Sequence, residues 1–370
     1  MRLLHVCSSR SWGGMEMSVA RLADLQKGAG HRILLAAAPD SPLWNQARGK
    51  QIEVSDFKES GPWDLGGTFK LAQAIKRFLP DVVHVQYSKD LHRAVPANRW
   101  AGRRPLVFTK QLGSAVSKRD PWHRFLYSNV SRATAISGFI RDNLTETTVI
   151  LRERVDLVYL GTDTVKFAPD PAARAQARRE LGFNDKDMVI GMMGRMSPGK
   201  GFEDFASAAS GLRQQGLRFL MIGGASRGEE AYAKKLRESV RERLGNRLVL
   251  LGFKPDRERY LRAMDIFAFP SHAESFGLAL CEAMAAGLPC AAYAKDGVLD
   301  IIEDGVNGLR ARVRDPGDLG GKLERLARDG QLRKRLGAAA RKTVVNKFSE
   351  AGMLAGYLET YRKAIDEARS

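Results

Sequence analysis

Short apolar runs alternate with amphipathic stretches along almost the whole chain. Runs at 2–7, 32–38, 82–87, 105–109, 131–136 and 155–159 predict buried strands, and the periodic stretches between them predict helices. After the first run, Val19, Leu22, Ala23 and Leu25 fall near one face of such a helix. The second half repeats the scheme, with strands predicted at 188–194, 218–223, 248–253, 265–270 and 289–293. Alternation of this kind implies parallel, doubly wound sheets and an α/β fold class. The pattern breaks at 161–187, where Pro169, Pro171 and a run of Ala and Arg interrupt it. A chain of 370 residues also exceeds one ordinary core, so two domains are predicted, 1–165 and 166–348. Leu354, Tyr357, Leu358, Tyr361 and Ile365 then form one stripe of a terminal helix over 349–370.

The densest chemistry follows the run at 265–270. Glu274 and Glu282, with seven residues between them, flank a helix for which Ser275 is a suitable N-cap and Gly287 with Pro289 a suitable stop. A helix of roughly 11 residues is predicted, with Glu274 in the loop at its mouth and Glu282 about two turns inside. The backbone N–H groups of Phe276, Gly277 and Leu278 would be the unpaired donors of its first turn, which attract phosphate. An anion cradle between two hydroxyl-seeking carboxylates suits a sugar joined to a nucleoside diphosphate. Arg195 and Lys200 in the loop GRMSPGKG can embrace a diphosphate and stabilise the charge that develops as it leaves. Gly13-Gly14, between the first strand and its helix, allows close approach of a phosphate but lacks the spacing of a nicotinamide site.

The set resembles a known family, the retaining family-4 (group 1 type) glycosyltransferases of the GT-B fold. The likeness rests on Glu274-Ser275-Phe276-Gly277 with Glu282, and on landmarks that recur in order over nearly the whole chain: Trp12-Gly13-Gly14-Met15-Glu16, Pro80-Asp81-Val82-Val83-His84, Leu160-Gly161-Thr162-Asp163, Gly194 to Gly201, and Asp304-Gly305-Val306-Asn307-Gly308. It implies two Rossmann-like domains facing a central cleft, with the last helix crossing back to the first domain. It implies that Glu282 holds ribose hydroxyls, that Glu274 holds those of the donor sugar, and that the donor is a nucleoside-diphosphate sugar, UDP before GDP or ADP, with no cofactor. Two readings stand for Glu16, a role in the cleft or a solvated first-turn helix acid, and two for His84, a cleft contact or a buried structural histidine. The chain departs from the family at Thr109-Lys110-Gln111-Leu112-Gly113, where Gln111 occupies the place of a sugar-contacting histidine. Lys110 and Gln111 become candidate sugar or acceptor contacts, and Gln111 cannot act as a base. Leu160-Gly161 replaces the usual Asn-Gly, and Asp296-Gly297-Val298-Leu299-Asp300 replaces Gly-Gly-x-x-Glu.

Charge adds a partner. Sixty Lys and Arg against 42 Asp and Glu give a net +18. Within 89–124, nine basic side chains against Asp90 and Asp120 leave +7, interleaved with Trp100, Phe108 and Trp122. Such a field attracts an anionic bilayer or a polyanion. The expected acceptor is an anionic glycolipid, such as a lipopolysaccharide core, at the inner membrane surface, reached by a cytoplasmic, peripheral enzyme. A sugar or sugar-phosphate transferase of the glycogen-synthase kind would need no basic face, and a polyanion-binding protein would leave the glutamate pair without a purpose. Nucleic acid is not expected as a partner. The segment 278–294 contains Glu282 and Pro289, so no membrane span is predicted, and the start reads as a buried strand and not a signal peptide. Cys7, Cys281 and Cys290 lack metal spacing and fit a reducing compartment. Asp185-Lys186-Asp187 spells a metal-binding D-x-D but is placed in a turn, so no metal is predicted. No enzymic nucleophile stands out, which favours a front-face reaction in which the leaving diphosphate takes the acceptor proton.

Overall fold

A computed structural model describes every residue except Glu59, Pro62, Ser226, Arg227 and Ser370. The chain divides into two compact units, Met1–Gly161 with Glu350–Ser370, and Thr162–Ser349. The sequence placed these boundaries at 165 and 348.

The first unit carries a parallel sheet of seven strands: β1 (Arg2–Cys7), β2 (Arg32–Ala37), β3 (Glu53–Asp56), β4 (Val82–Val85), β5 (Leu106–Lys110), β6 (Arg132–Ala135) and β7 (Val155–Leu157), in the order β3-β2-β1-β4-β5-β6-β7. The second carries six: β8 (Met188–Met193), β9 (Leu217–Ile222), β10 (Leu248–Leu251), β11 (Ile266–Phe269), β12 (Cys290–Tyr293) and β13 (Leu309–Ala311), in the order β10-β9-β8-β11-β12-β13. All pairings are parallel. Helices cover the faces, so the inner strands are buried on both sides and read as continuous apolar runs. The short strands β3 (EVSD) and β13 (LRA) carry no such run, and the sequence reading missed both.

The strand order reverses between β1 and β4 in the first unit and between β8 and β11 in the second. Connections leave such a switch point in opposite directions and open a crevice at the carboxyl ends of the strands. The last helix, Glu350–Glu367, returns to the first unit, where Met353, Tyr357, Tyr361 and Ala364 join the core formed by Leu3, Val19, Leu35, Val82 and Val107. Gly161 packs so closely on the start of this helix that a Cβ there would lie 2.6 Å from the Glu350 Cα. No described helix is long and apolar enough to cross a membrane.

Candidate active site

In the second unit, the loop leaving β8 is fastened by its backbone. The Met196 N–H donates to the Gly224 carbonyl at 2.8 Å, and the His272 N–H donates to the Gly199 carbonyl at 2.8 Å. Gly201 has φ +76°, and a Cβ on it would lie 1.9 Å from the Pro270 carbonyl oxygen. Only glycine fits where this loop crosses the chain leaving β11. Asp204 ties the same region down: it accepts the Tyr293 hydroxyl at 2.7 Å and pairs with His272 Nε2 at 2.9 Å. The outcome is an ion pair of 2.7 Å between Lys200 Nζ and Glu274 Oε2. Arg195 stands exposed on the same loop.

Glu274 is braced from behind. Its carbonyl accepts the Gly297 N–H at 2.9 Å, and a Cβ on Gly297 would lie 2.5 Å from the Ser275 carbonyl oxygen. The sequence expectation for the next helix needs correction. It begins at Leu278 and runs to Ala285, capped by Gly277 in the left-handed region at φ +119°, and Ser275 is not its N-cap. Phe276 is buried against the Phe348 ring at 5.6 Å, which draws the chain inward before the helix can start. The unpaired first-turn amides are therefore those of Leu278, Ala279 and Leu280, since Cys281 already donates to Gly277. Glu282 lies about one turn inside, not two.

Glu282 is 5% exposed. Its Oε1 lies 2.8 Å from Arg257 Nη1, while its Oε2 is buried with no hydrogen-bond partner. Burial pushes its carboxyl up to about 7, and the opposing pull of Arg257 and Lys166 does not cancel this. A buried acceptor oxygen with no donor suits a hydroxyl-bearing ligand. Arg257 escaped the sequence reading because nothing local in KPDRER sets it apart; the fold alone brings it to Glu282.

In the first unit, Gly13 and Gly14 lie where β1 gives way to the helix Gly14–Gly28. Glu16 acts as a helix-capping acid. One carboxylate oxygen accepts the Ser9 hydroxyl, and the other accepts the Gly13 N–H at 2.9 Å. It is a first-turn acid as one reading had it, but buried at 4% exposure and not solvated. His84 is fully buried, with Nδ1 on the Tyr361 hydroxyl at 2.7 Å and Nε2 on Thr109 Oγ1 at 2.6 Å. It is a structural histidine, both ring nitrogens being taken, and burial holds it neutral. Lys110 and Gln111 end β5 at the carboxyl edge, 2% and 5% exposed. Burial, reinforced by Lys118, lowers the Lys110 ammonium to about 8.

The basic stretch 89–124 is not one continuous face. Arg93 is buried beside Asp90 and Asp64 and over the Phe57 ring, and Phe108 belongs to the core. Arg99, Arg103, Arg119 and Arg124 are exposed. Trp122 stacks between Phe125 and Trp63, and Trp63, 75% exposed, lies outside the stretch the sequence singled out. Asp185-Lys186-Asp187 forms the turn entering β8, with Asp187 Oδ2 accepting the Asn184 N–H at 2.8 Å. That turn lies a strand length, roughly 17 Å, from the carboxyl end where Lys200 sits. Among the described residues no group of three or more His, Cys, Asp or Glu is placed to hold a metal ion.

Two parallel sheets with glycine-fastened loops at their switch points are the GT-B architecture, and comparison with known proteins agrees. Residues 12–166 match the family described as Glycosyltransferase Family 4, and residues 173–343 match Glycosyl transferases group 1. A D-inositol 3-phosphate glycosyltransferase of Frankia alni is 32% identical over 317 residues, 78% of this chain and 75% of that protein. One of the same name from Nocardia farcinica is 30% identical over 290 residues, 73% of this chain and 63% of that protein. The matched stretch covers 50% and 49% of two further relatives of that name, about half their length. The crystal structure of Anabaena Alr3699/HepE in complex with UDP and glucose superposes over 98% of this chain and 99% of that chain, with TM-score 0.85 and 24% identity. The chain belongs to the group 1, family 4 glycosyltransferases.

Proposed function

We propose that this protein transfers a sugar from a nucleoside diphosphate, UDP before GDP or ADP, to a hydroxyl of an anionic acceptor, with retention of the anomeric configuration. The observation that carries this reading is the pair of glutamates in unlike surroundings. Glu274 pairs with Lys200 at 2.7 Å, and Glu282 is buried with one oxygen lacking a donor. In this reading Glu282 Oε2 receives a ribose hydroxyl and Glu274 orients the donor sugar. Lys200, Arg195 and the amides of Leu278, Ala279 and Leu280 take the diphosphate. As the glycosidic bond breaks, negative charge grows on the leaving phosphate, and these cations and amides are already in place to stabilise it. The leaving phosphate accepts the proton of the attacking hydroxyl. Calorimetric titration with UDP tests the site: Glu282→Ala should weaken binding by about tenfold or more, since it removes a buried acceptor of a ligand hydroxyl. Unchanged affinity would overturn the assignment.

An anionic acceptor is favoured by Lys110, a nearly buried ammonium at the carboxyl edge of β5 with Lys118 close enough to lower it. The printed name of the curated relatives, D-inositol 3-phosphate glycosyltransferase, fits such an acceptor. A membrane-held glycolipid acceptor, the second reading, is favoured by the exposed rings of Trp63, Phe69 and Trp100 and the exposed Arg99, Arg103 and Arg119, all in the first unit. It would make the enzyme peripheral on the inner membrane face.

A further inference from the structure

A chain of buried hydrogen bonds runs through the core of the first unit, linking the inner strands β1, β4, β5 and β6 to the helix Gly14–Gly28 and the last helix. Gln86 Nε2 meets His5 Nδ1 at 2.8 Å, and His5 Nε2 meets Gln26 Oε1 at 2.7 Å. Gln26 Nε2 donates to the Tyr361 hydroxyl at 3.1 Å, which meets His84 Nδ1 at 2.7 Å. His84 Nε2 meets Thr109 Oγ1 at 2.6 Å, and Thr109 continues to Thr134 at 2.6 Å. With the amide oxygens and nitrogens where the structure places them, the sense of the bonds follows. Gln26 Oε1 can only accept, so His5 carries its hydrogen on Nε2 and its Nδ1 must accept from Gln86. The Tyr361 oxygen accepts from Gln26 and so donates to His84 Nδ1, leaving His84 Nε2 to donate to Thr109.

This direction has a consequence at the open end. Turning the Gln86 amide over would set its carbonyl oxygen against the His5 Nδ1 lone pair, so the carbonyl must point away from the chain. There Gln86 Oε1 is buried, with the residue 1% exposed and the atom without a partner among the described residues. A second orphan follows at the end of the neighbouring strand β5. β4 pairs with β5 with Val85 beside Phe108, so the register carries Gln86 to Thr109, and Gln111 follows two residues on, one past the end of β5. Gln111 Nε2 is likewise buried and without a partner, in a residue 5% exposed. One orphan is an acceptor and the other a donor.

We infer that Gln86 Oε1 and Gln111 Nε2 together form a subsite for a neutral hydroxyl of a polyol or sugar acceptor. A hydroxyl both donates and accepts, and so satisfies both groups. A phosphate or carboxylate would satisfy only Gln111 and face the Gln86 carbonyl; an ammonium would satisfy only Gln86. Neither amide can take up a proton, so the pair holds and orients the hydroxyl and takes no part in moving its proton. Gln86 and Gln111 are thus positioning residues that select a hydroxyl at a defined place. The inference rests on the transferase reading for its substrate, but its site belongs to the first unit alone.

The test uses the full chain and the side-chain amide signals of Gln86 and Gln111 in nuclear magnetic resonance spectra. D-glucose, myo-inositol and inorganic phosphate serve as probes, each titrated with and without UDP. A polyol is expected to shift the Gln111 amide, and phosphate is not. Gln86→Leu and Gln111→Leu should each weaken the polyol by about tenfold, and the double variant should be little worse than either, because one hydroxyl bridges both groups. Gln86→Glu keeps an outward acceptor but turns an acceptor toward His5. It should retain polyol binding and move the His5 hydrogen to Nδ1, which the imidazole nitrogen shifts report and a merely structural role would not predict. If neither polyol moves the Gln111 amide, or if both leucine variants bind it as the wild type does, the two orphans hold only water and the inference fails. Loss of UDP binding with polyol binding intact would instead overturn the transferase reading and leave this subsite standing.

Discussion

Glu282 makes the pH dependence of the site predictable. Its carboxyl titrates near 7 in the folded chain and near 4.5 when freed, so the folded state holds the extra proton between those values. Stability of the ligand-free protein should therefore fall as pH rises from 4.5 to 7, and Glu282→Gln should flatten that slope in thermal unfolding. UDP affinity should move the other way, rising through pH 7 as the carboxylate becomes the stronger acceptor of a ribose hydroxyl. A wild-type UDP affinity independent of pH from 6 to 8 would contradict this role. Lys110 carries the opposite sign: its ammonium loses its proton near 8 when folded and near 10.5 when freed, so stability rises with pH across that window while affinity for an anionic acceptor falls. Arg195, Lys200, Glu274 and Glu282 could be picked out as candidates in the sequence because each sits in a short glycine-punctuated segment whose chemistry is local. Arg257, Asp204 and Gln86 were not, since their partners are 25, 89 and 81 residues away and nothing beside them announces it.

At the scale of elements, all eleven runs predicted as strands were legible by their apolar character, each with a counterpart that starts within a residue or two. What escaped was β3 and β13, edge strands whose residues face solvent on one side and carry Glu, Asp or Arg. The helix at Leu278 was misplaced by its N-cap, because Ser275 is the better capping residue in isolation while burial of Phe276 and the left-handed turn at Gly277 decide the outcome. The crossing of the Lys200 loop over Pro270 gives a sharp prediction. Gly201→Ala would force a Cβ into the Pro270 carbonyl at a positive φ, and should destabilise the second unit by at least about 2 kcal/mol, or shift the loop and abolish UDP binding. Chemical denaturation and UDP titration separate the two outcomes, and a variant normal in both would contradict the fit. The returning helix is likewise testable. Tyr361→Phe leaves His84 Nδ1 and Gln26 Nε2 without their partner, and should cost about 1–3 kcal/mol of stability in denaturant unfolding.

For the whole molecule, the charge of +18 is not spread evenly over function. Arg103, Arg104, Lys118 and Arg119 lie in the first unit, and the groups proposed to take the diphosphate lie in the second. Reversing those four to Glu should release the protein from anionic vesicles at low salt while leaving UDP affinity unchanged, as sedimentation would show. Equal vesicle binding by both proteins would remove the membrane reading. The central claim is that Lys200, Arg195 and the glutamate pair drive transfer from a nucleoside-diphosphate sugar without help from a divalent ion. The most direct measurement is turnover of UDP-, GDP- and ADP-sugars in excess EDTA, for the wild type and for Arg195→Ala and Lys200→Ala. The account predicts release of a nucleoside diphosphate by the wild type, UDP foremost, and a loss of about 100-fold or more in each variant. Near-normal turnover in both variants, or activity that returns only with Mg²⁺ or Mn²⁺, would contradict it.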